Sequence, residues 1–201
     1  KGGHSGAEIH KGRANANKIM ARVLKNLKED TDFKIYKIEG GTKHNVIASD
    51  SEAIIVLCSK YESIVKDKET MLEKVLKDEF KTSDSDLKIE VQSIDILPEK
   101  VMSNDTTENV INFMYLIPNG VQSMSMDIEG LVESSLNLGT VVTRENSVEC
   151  LSSIRSSVRS LRDNIFSVIL TIGNFTKAKV VAESSYPEWK YRDDSKIREV
   201  M

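Results

Sequence analysis

Three polar side chains stand where the local sequence could present them to a ligand. They are His4 in Gly2-Gly3-His4-Ser5-Gly6-Ala7-Glu8, Asn45 behind Gly40-Gly41-Thr42, and Arg155 in Ile154-Arg155-Ser156-Ser157. Paired glycines before His4 let the backbone approach a ligand closely, and a helix starting behind it would welcome an anion beside the ring. An asparagine amide offers both a donor and an acceptor. A guanidinium at a helix start can grip a carboxylate through two parallel bonds, which a lysine cannot do. Taken alone, each has a plainer reading: a polar residue ahead of a helix cap, an asparagine in a glycine turn, an arginine solvating a strand end. His10 and His44 read as surface histidines. Ser5, Ser134 and Ser135 have no histidine and acid placed to activate them, so they read as a cap and strand residues.

The elements that must position these groups follow from hydrophobic spacing. Ser5 with Glu8 forms the pattern of a capping box, which predicts a helix from about Gly6 with Ile9, Ala16, Met20, Val23, Leu24 and Leu27 as its buried stripe. Asp32 to Glu39 alternates as a strand. A second strand is predicted from about Asn45 to Cys58, interrupted near Ser49-Asp50-Ser51, then a long helix over Ser59 to Phe80 and a third strand from Leu87 to Ile96. The pattern then starts over. A helix capped at Asn104 or Asp105 runs to Ile117, a Ser/Met-rich loop reaches Gly130, and strands Leu131 to Val142 and Ser147 to Ile154 meet at Arg144-Glu145-Asn146. A helix from Ser156 or Ser157 to Phe175 and a strand from Ala178 to Ala182 close the repeat. The predicted fold class is α+β: two tandem ferredoxin-like αββαβ repeats forming one mostly antiparallel sheet with helices on one face.

Composition narrows the function. The 201 residues carry 28 Lys and Arg against 31 Asp and Glu, dispersed along the chain with a net charge of -3, so no basic stripe points to nucleic acid or anionic lipid. The apolar runs at Ala53 to Cys58 and Phe166 to Ile172 are far shorter than the ~20 residues a bilayer span needs. Cys58 and Cys150 both fall in apolar, strand-like runs. They read as buried thiols of a cytoplasmic protein, with a disulfide between them unforced. Two cysteines and three scattered histidines make no metal-ligand pattern.

Four stretches taken together closely resemble the Xaa-His dipeptidases, the bacterial carnosinase-like zinc exopeptidases. They are residues 2–10 leading into Gly12-Arg13-Ala14-Asn15-Ala16-Asn17-Lys18; Gly40-Gly41-Thr42 with Asn45; Pro118-Asn119-Gly120-Val121 leading to Gly130-Leu131-Val132-Glu133-Ser134-Ser135-Leu136-Asn137; and Ile154-Arg155-Ser156 with Tyr186-Pro187-x-Trp189 beyond. They span almost the whole chain. Ala48 stands where relatives tend to have proline, and Glu188 where they tend to have glycine.

The part they resemble is that enzyme's lid and dimerisation domain. The resemblance implies residues 1–189 as that domain, with one lobe over about 1–98 and a second over about 104–189, and 190–201 as the start of a segment returning to the catalytic domain. It implies a homodimer acting on dipeptides with a C-terminal histidine, with zinc held by the catalytic domain and no metal ligand on this stretch. His4 matches a lid histidine that stabilises the tetrahedral intermediate in its own or the partner subunit's site, a task suited to an imidazole N–H. Asn45 matches an asparagine that holds substrate, and Arg155 is expected to take the substrate's terminal carboxylate. Two other readings stand beside this one: a non-catalytic dimerisation or ligand-sensing module, and the lid of another peptidase or acylase of the same clan.

Overall fold

The computed structural model describes residues 1–95 and 97–185. A long strand, β6 (Val132–Thr143), sits at its centre and is the reason the remaining strands assemble as they do. From Ser134 to Thr143 it pairs antiparallel with β7 (Val148–Ser156) through the hairpin predicted at residues 144–146. Its other edge is shared end to end. β5 (Gly120–Met124) pairs with residues near Val132 to Leu136, while β2 (Phe33–Gly40) pairs only through Glu39 with Val142 and Gly40 with Val141. β4 (Ser51–Leu57) then pairs with β2 and completes a five-stranded sheet in which every pairing is antiparallel. A separate short ladder joins β1 (Gly3–His4) to β3 (Val46–Ile47).

The helices are α1 (Ala16–Asp30), α2 (Glu62–Glu79), α3 (Asn104–Leu116) and α4 (Arg159–Phe175). Their apolar stripes meet the inward face of the sheet in one core. Ala21, Leu24 and Leu27 of α1, Leu76 of α2, Ile111 and Met114 of α3 and Ile165 and Ile169 of α4 pack with Phe33, Ile35, Ile38, Leu136, Leu138 and Val141. Lys18 on α1 ties two helices together: its Nζ donates to the carbonyls of Met114, Tyr115 and Ile117, which the end of α3 leaves unpaired. Burial lowers that ammonium to about 8.

The α+β class and the mostly antiparallel sheet drawn from both repeats agree with the sequence reading, and several details correct it. The first helix starts at Ala16, not Gly6. Asn15 caps it, its side-chain oxygen accepting from the backbone N–H of Asn17 and Lys18, while Gly12 at φ 61° turns the chain away beforehand. Ser5 is no cap, because its backbone N–H is already given to Asn45 O at 2.9 Å and its Oγ is buried without a partner among the described residues. His10 therefore lies in a short 3-10 turn, Ile9–Lys11, and not inside a long helix.

Among the described residues neither Leu87 to Asp95 nor Ala178 to Ala182 joins a ladder. The first is held along α2 instead, where Glu73 accepts from Ile89 N–H at 2.8 Å and Glu69 from Val91 N–H at 2.7 Å. These two carboxylates stand in for a neighbouring strand. Ile96 lies outside the described residues, as do Tyr186-Pro187-x-Trp189 and the 190–201 segment. The Ser/Met-rich stretch expected to be loop contains β5. Cys58, expected to be buried, is exposed at the end of β4; Cys150 is half-buried, and both thiols are free.

Candidate functional site

The outward face of β6 and β7 is covered, opposite α4, by the segment before α1 and by the turn between β2 and β3. Gly41 and Gly139 permit that cover. A methyl on Gly41 would lie within 1.9 Å of Gly139 O, and one on Gly139 within 2.5 Å of His44 Cα, so the two backbones touch where a side chain would separate them. Asn137, buried on the same face, donates from Nδ2 to His44 O at 3.0 Å and to Val46 O at 2.9 Å. Ser153 Oγ also donates to His44 O at 3.0 Å.

The asparagine side chains solve a pairing problem at the same place. Between the stretches of β6 paired with β5 and with β2, one edge has no strand beside it at Leu138. There Leu138 N–H donates to Asn119 Oδ1 at 2.9 Å, and Leu138 O accepts from Asn15 Nδ2 at 3.0 Å. Asn17 Nδ2 donates to Leu138 O and Gly139 O, each at 3.3 Å. Asn15 Nδ2 also reaches Asn119 Oδ1 at 3.1 Å and Asn137 Oδ1 at 3.2 Å, so the cap of α1, the gap in β6 and the clamp on the 44–46 turn form one network.

On this support His4, Asn45 and Arg155, far apart in sequence, converge. His4 pairs with Val46 in the β1–β3 ladder, and Asn45 O accepts from the next residue's N–H. Arg155 pairs with Ser135 across β6–β7 and points up at the same turn: a methyl built on Gly6 would sit 3.0 Å from His4 Cε1 and 3.1 Å from both Cζ and Nη1 of Arg155. The two side chains therefore flank one glycine. Arg155 is exposed and makes no ion pair among the described residues, and the Asn45 amide makes no hydrogen bond among them.

The His4 ring is oriented by its own turn. Nδ1 accepts from the N–H of Gly6 at 3.2 Å and of Ala7 at 3.1 Å, which assigns the hydrogen of the neutral ring to Nε2 and leaves that donor without a partner among the described residues. The turn is closed by Glu8, whose N–H donates to His4 O at 2.9 Å and whose Oε2 accepts from His4 N–H at 3.1 Å. A hydrogen bond from Lys11, the His4 N–H and the charge of Arg13 hold the Glu8 carboxyl down to about 2. The positive end of α1 lies well beyond this turn, so backbone N–H groups of the turn, not a helix terminus, set the ring. Among the described residues no group of three or more His, Cys, Asp or Glu side chains comes together in a way that could hold a metal ion.

Residues 1–84 match the family model described as the peptidase dimerisation domain. Over 192 residues the chain is 34% identical to the cytosol non-specific dipeptidase of Escherichia coli (strain K12), covering 94% of this chain and 39% of that protein. It superposes on the crystal structure of the aminoacylhistidine dipeptidase of Vibrio alginolyticus with a TM-score of 0.90 at 30% identity, covering 100% of this chain and 41% of that one. The chain therefore shares its fold with part of that dipeptidase. The chain spans about two fifths of the length of the relatives it matches.

Sequence reasoning missed the residues that hold the site. Asn15, Asn119 and Asn137 were visible only as parts of resembling motifs, without a role, and Glu8 was assigned to Ser5 instead of His4. Asn15, an N-cap residue type placed directly before the apolar spacing of α1, was the one available signal.

Proposed function

We propose that this chain is the lid and dimerisation segment of a cytoplasmic, zinc-dependent dipeptidase that hydrolyses Xaa-His dipeptides as a homodimer. Residues 1–189 form that segment, and 190–201 begin the return to a catalytic domain that holds the zinc. The observation that carries the reading is the meeting of His4, Asn45 and Arg155, from three distant stretches, at one corner with unspent hydrogen-bonding groups. Arg155 takes the free carboxylate of the second residue in bidentate fashion, which distinguishes a dipeptide from a longer chain. The Asn45 amide holds the substrate backbone. His4 Nε2–H donates to the carbonyl oxygen as it becomes an oxyanion, in its own or its partner's site.

The test is His4→Ala in the full-length dimeric enzyme, assayed on an Xaa-His dipeptide. An interaction made chiefly in the transition state predicts a kcat loss of about 100-fold with KM little changed. A raised KM with unchanged kcat would make His4 a ground-state binding residue, and no change in either would leave it a surface residue.

A further inference from the structure

The unused chemistry of the domain lies under the site. Asn137 is 1% exposed, and every polar valence of its amide that the structure pairs is directed at one purpose. Both Nδ2 hydrogens go to the carbonyls of His44 and Val46, the residues on either side of Asn45, and Oδ1 accepts from Asn15 Nδ2, which is anchored at the cap of α1. The orientation of the amide is fixed by this arrangement, since the reverse orientation would set its oxygen against two carbonyls. Asn45 in turn passes the constraint on: its own carbonyl accepts from Ser5 N–H, and Val46 pairs with His4. A single buried side chain thus sets the height of Asn45 and, one hydrogen bond further, the position of the His4 ring.

We propose that Asn137 is a positioning residue for the dipeptidase reaction, acting through the 44–46 turn on Asn45 and His4 without touching substrate. The proposal rests on the function assigned above. Its chemistry is specific. An aspartate of the same shape supplies no donor and sets a charged oxygen against two carbonyls, so the turn must lift, whereas the backbone hydrogen bonds of β6 and β7 at this position need nothing from the side chain. Ser153 supports the same turn more weakly, through one bond to His44 O.

The experiment is a double-mutant cycle in the full-length metal-loaded dimer, with Asn137→Asp, His4→Ala and the pair assayed for kcat and KM on an Xaa-His dipeptide, and thermal melting recorded for each. The expected result is a kcat loss of at least about 10-fold for Asn137→Asp, and a double variant whose kcat lies within about 2-fold of His4→Ala alone, because the turn acts on kcat through the His4 ring, while displacement of Asn45, which holds the substrate backbone, is read in KM. Losses that multiply in the double variant would overturn the proposal and make Asn137 a fold residue. If His4→Ala alone leaves kcat unchanged, the functional reading fails first, and that outcome is distinct. Should Asn137→Asp fail to fold, Asn137→Ala, which removes both donors without adding a charge, answers the same question in the same cycle: a folded Asn137→Ala enzyme with lowered kcat, not compounded by His4→Ala, sustains the positioning role, and wild-type kcat refutes it.

Discussion

Gly6→Ala tests the site without removing any of its chemical groups. The backbone of Gly6 lies outside the left-handed region, so alanine can adopt it, and the exchange should leave stability unchanged or raise it by about 0.4–1 kcal/mol through the unfolded chain. The new methyl would stand 3.0 Å from His4 Cε1 and 3.1 Å from the Arg155 guanidinium carbon, so one or both must retreat by a few tenths of an ångström. Arg155 is exposed and can move; the imidazole is pinned at Nδ1 by two N–H groups, one of them that of Gly6 itself. Misplacement of about 1 Å can cost on the order of 100-fold in rate, so a shift of this size should lower kcat/KM of the full-length enzyme about 10-fold. Gly12→Ala is the counter-measurement. Nothing lies within 4 Å of its added methyl, but φ is 61°, so it should cost about 1 kcal/mol of stability and leave kcat/KM alone. The reasoning is refuted if Gly6→Ala works at the wild-type rate, or if both variants lose activity in proportion to their loss of stability.

Burial pushes the Cys150 thiol up to about 12, leaving a thiolate share of about 10⁻⁴ at pH 8, while Cys58 is exposed. A disulfide reagent at that pH should therefore consume one thiol equivalent quickly and the second only on unfolding, and two equivalents reacting together would contradict the packing of β7. Glu8 is held at about 2 in the folded chain against 4.5 for the free side chain, so the unfolded state binds more protons between these values; its contribution is present above about 4.5 and lost as pH falls through about 2. Urea unfolding of wild type and Glu8→Gln should show a gap at pH 6 that closes toward pH 2, and a gap independent of pH would mean Glu8 acts by shape alone.

Most of the fold was legible because burial has a period. The stripes of α1, α2, α3 and α4 and the alternation of β2 follow spacing that local sequence records. The errors fall where long-range bonds decided between local options. Ser5 and Glu8 satisfy a capping-box pattern as well as any pair in the chain, but Ser5 N–H is claimed by Asn45, so the helix waits for Asn15. Leu87 to Asp95 has the composition of a strand, but carboxylates of α2 take the N–H groups of Ile89 and Val91. The candidate site could be named as residue types, through resemblance; what was not legible is the convergence, since Arg155 and His4 meet only through a hairpin register and a glycine.

The asparagine network shows why such a site belongs on this sheet. β6 is longer than either strand on its divided edge, and the division leaves Leu138 with an N–H and a carbonyl that would otherwise be buried unpaired at about 1–3 kcal/mol each. Strand residues cannot fill a gap of that size, but primary amides can, because each carries donor and acceptor on one short arm. Once Asn15 and Asn119 close the gap, Asn137 is held from behind by Asn15 and has two donors left to face outward. The turn carrying Asn45 takes both. A pairing defect in the sheet is thereby turned into a rigid mount, and the rigidity reaches His4 through the bond from Ser5 N–H to Asn45 O and the pairing of His4 with Val46. An oxyanion donor needs that stiffness, since its value comes from being in place before the charge develops.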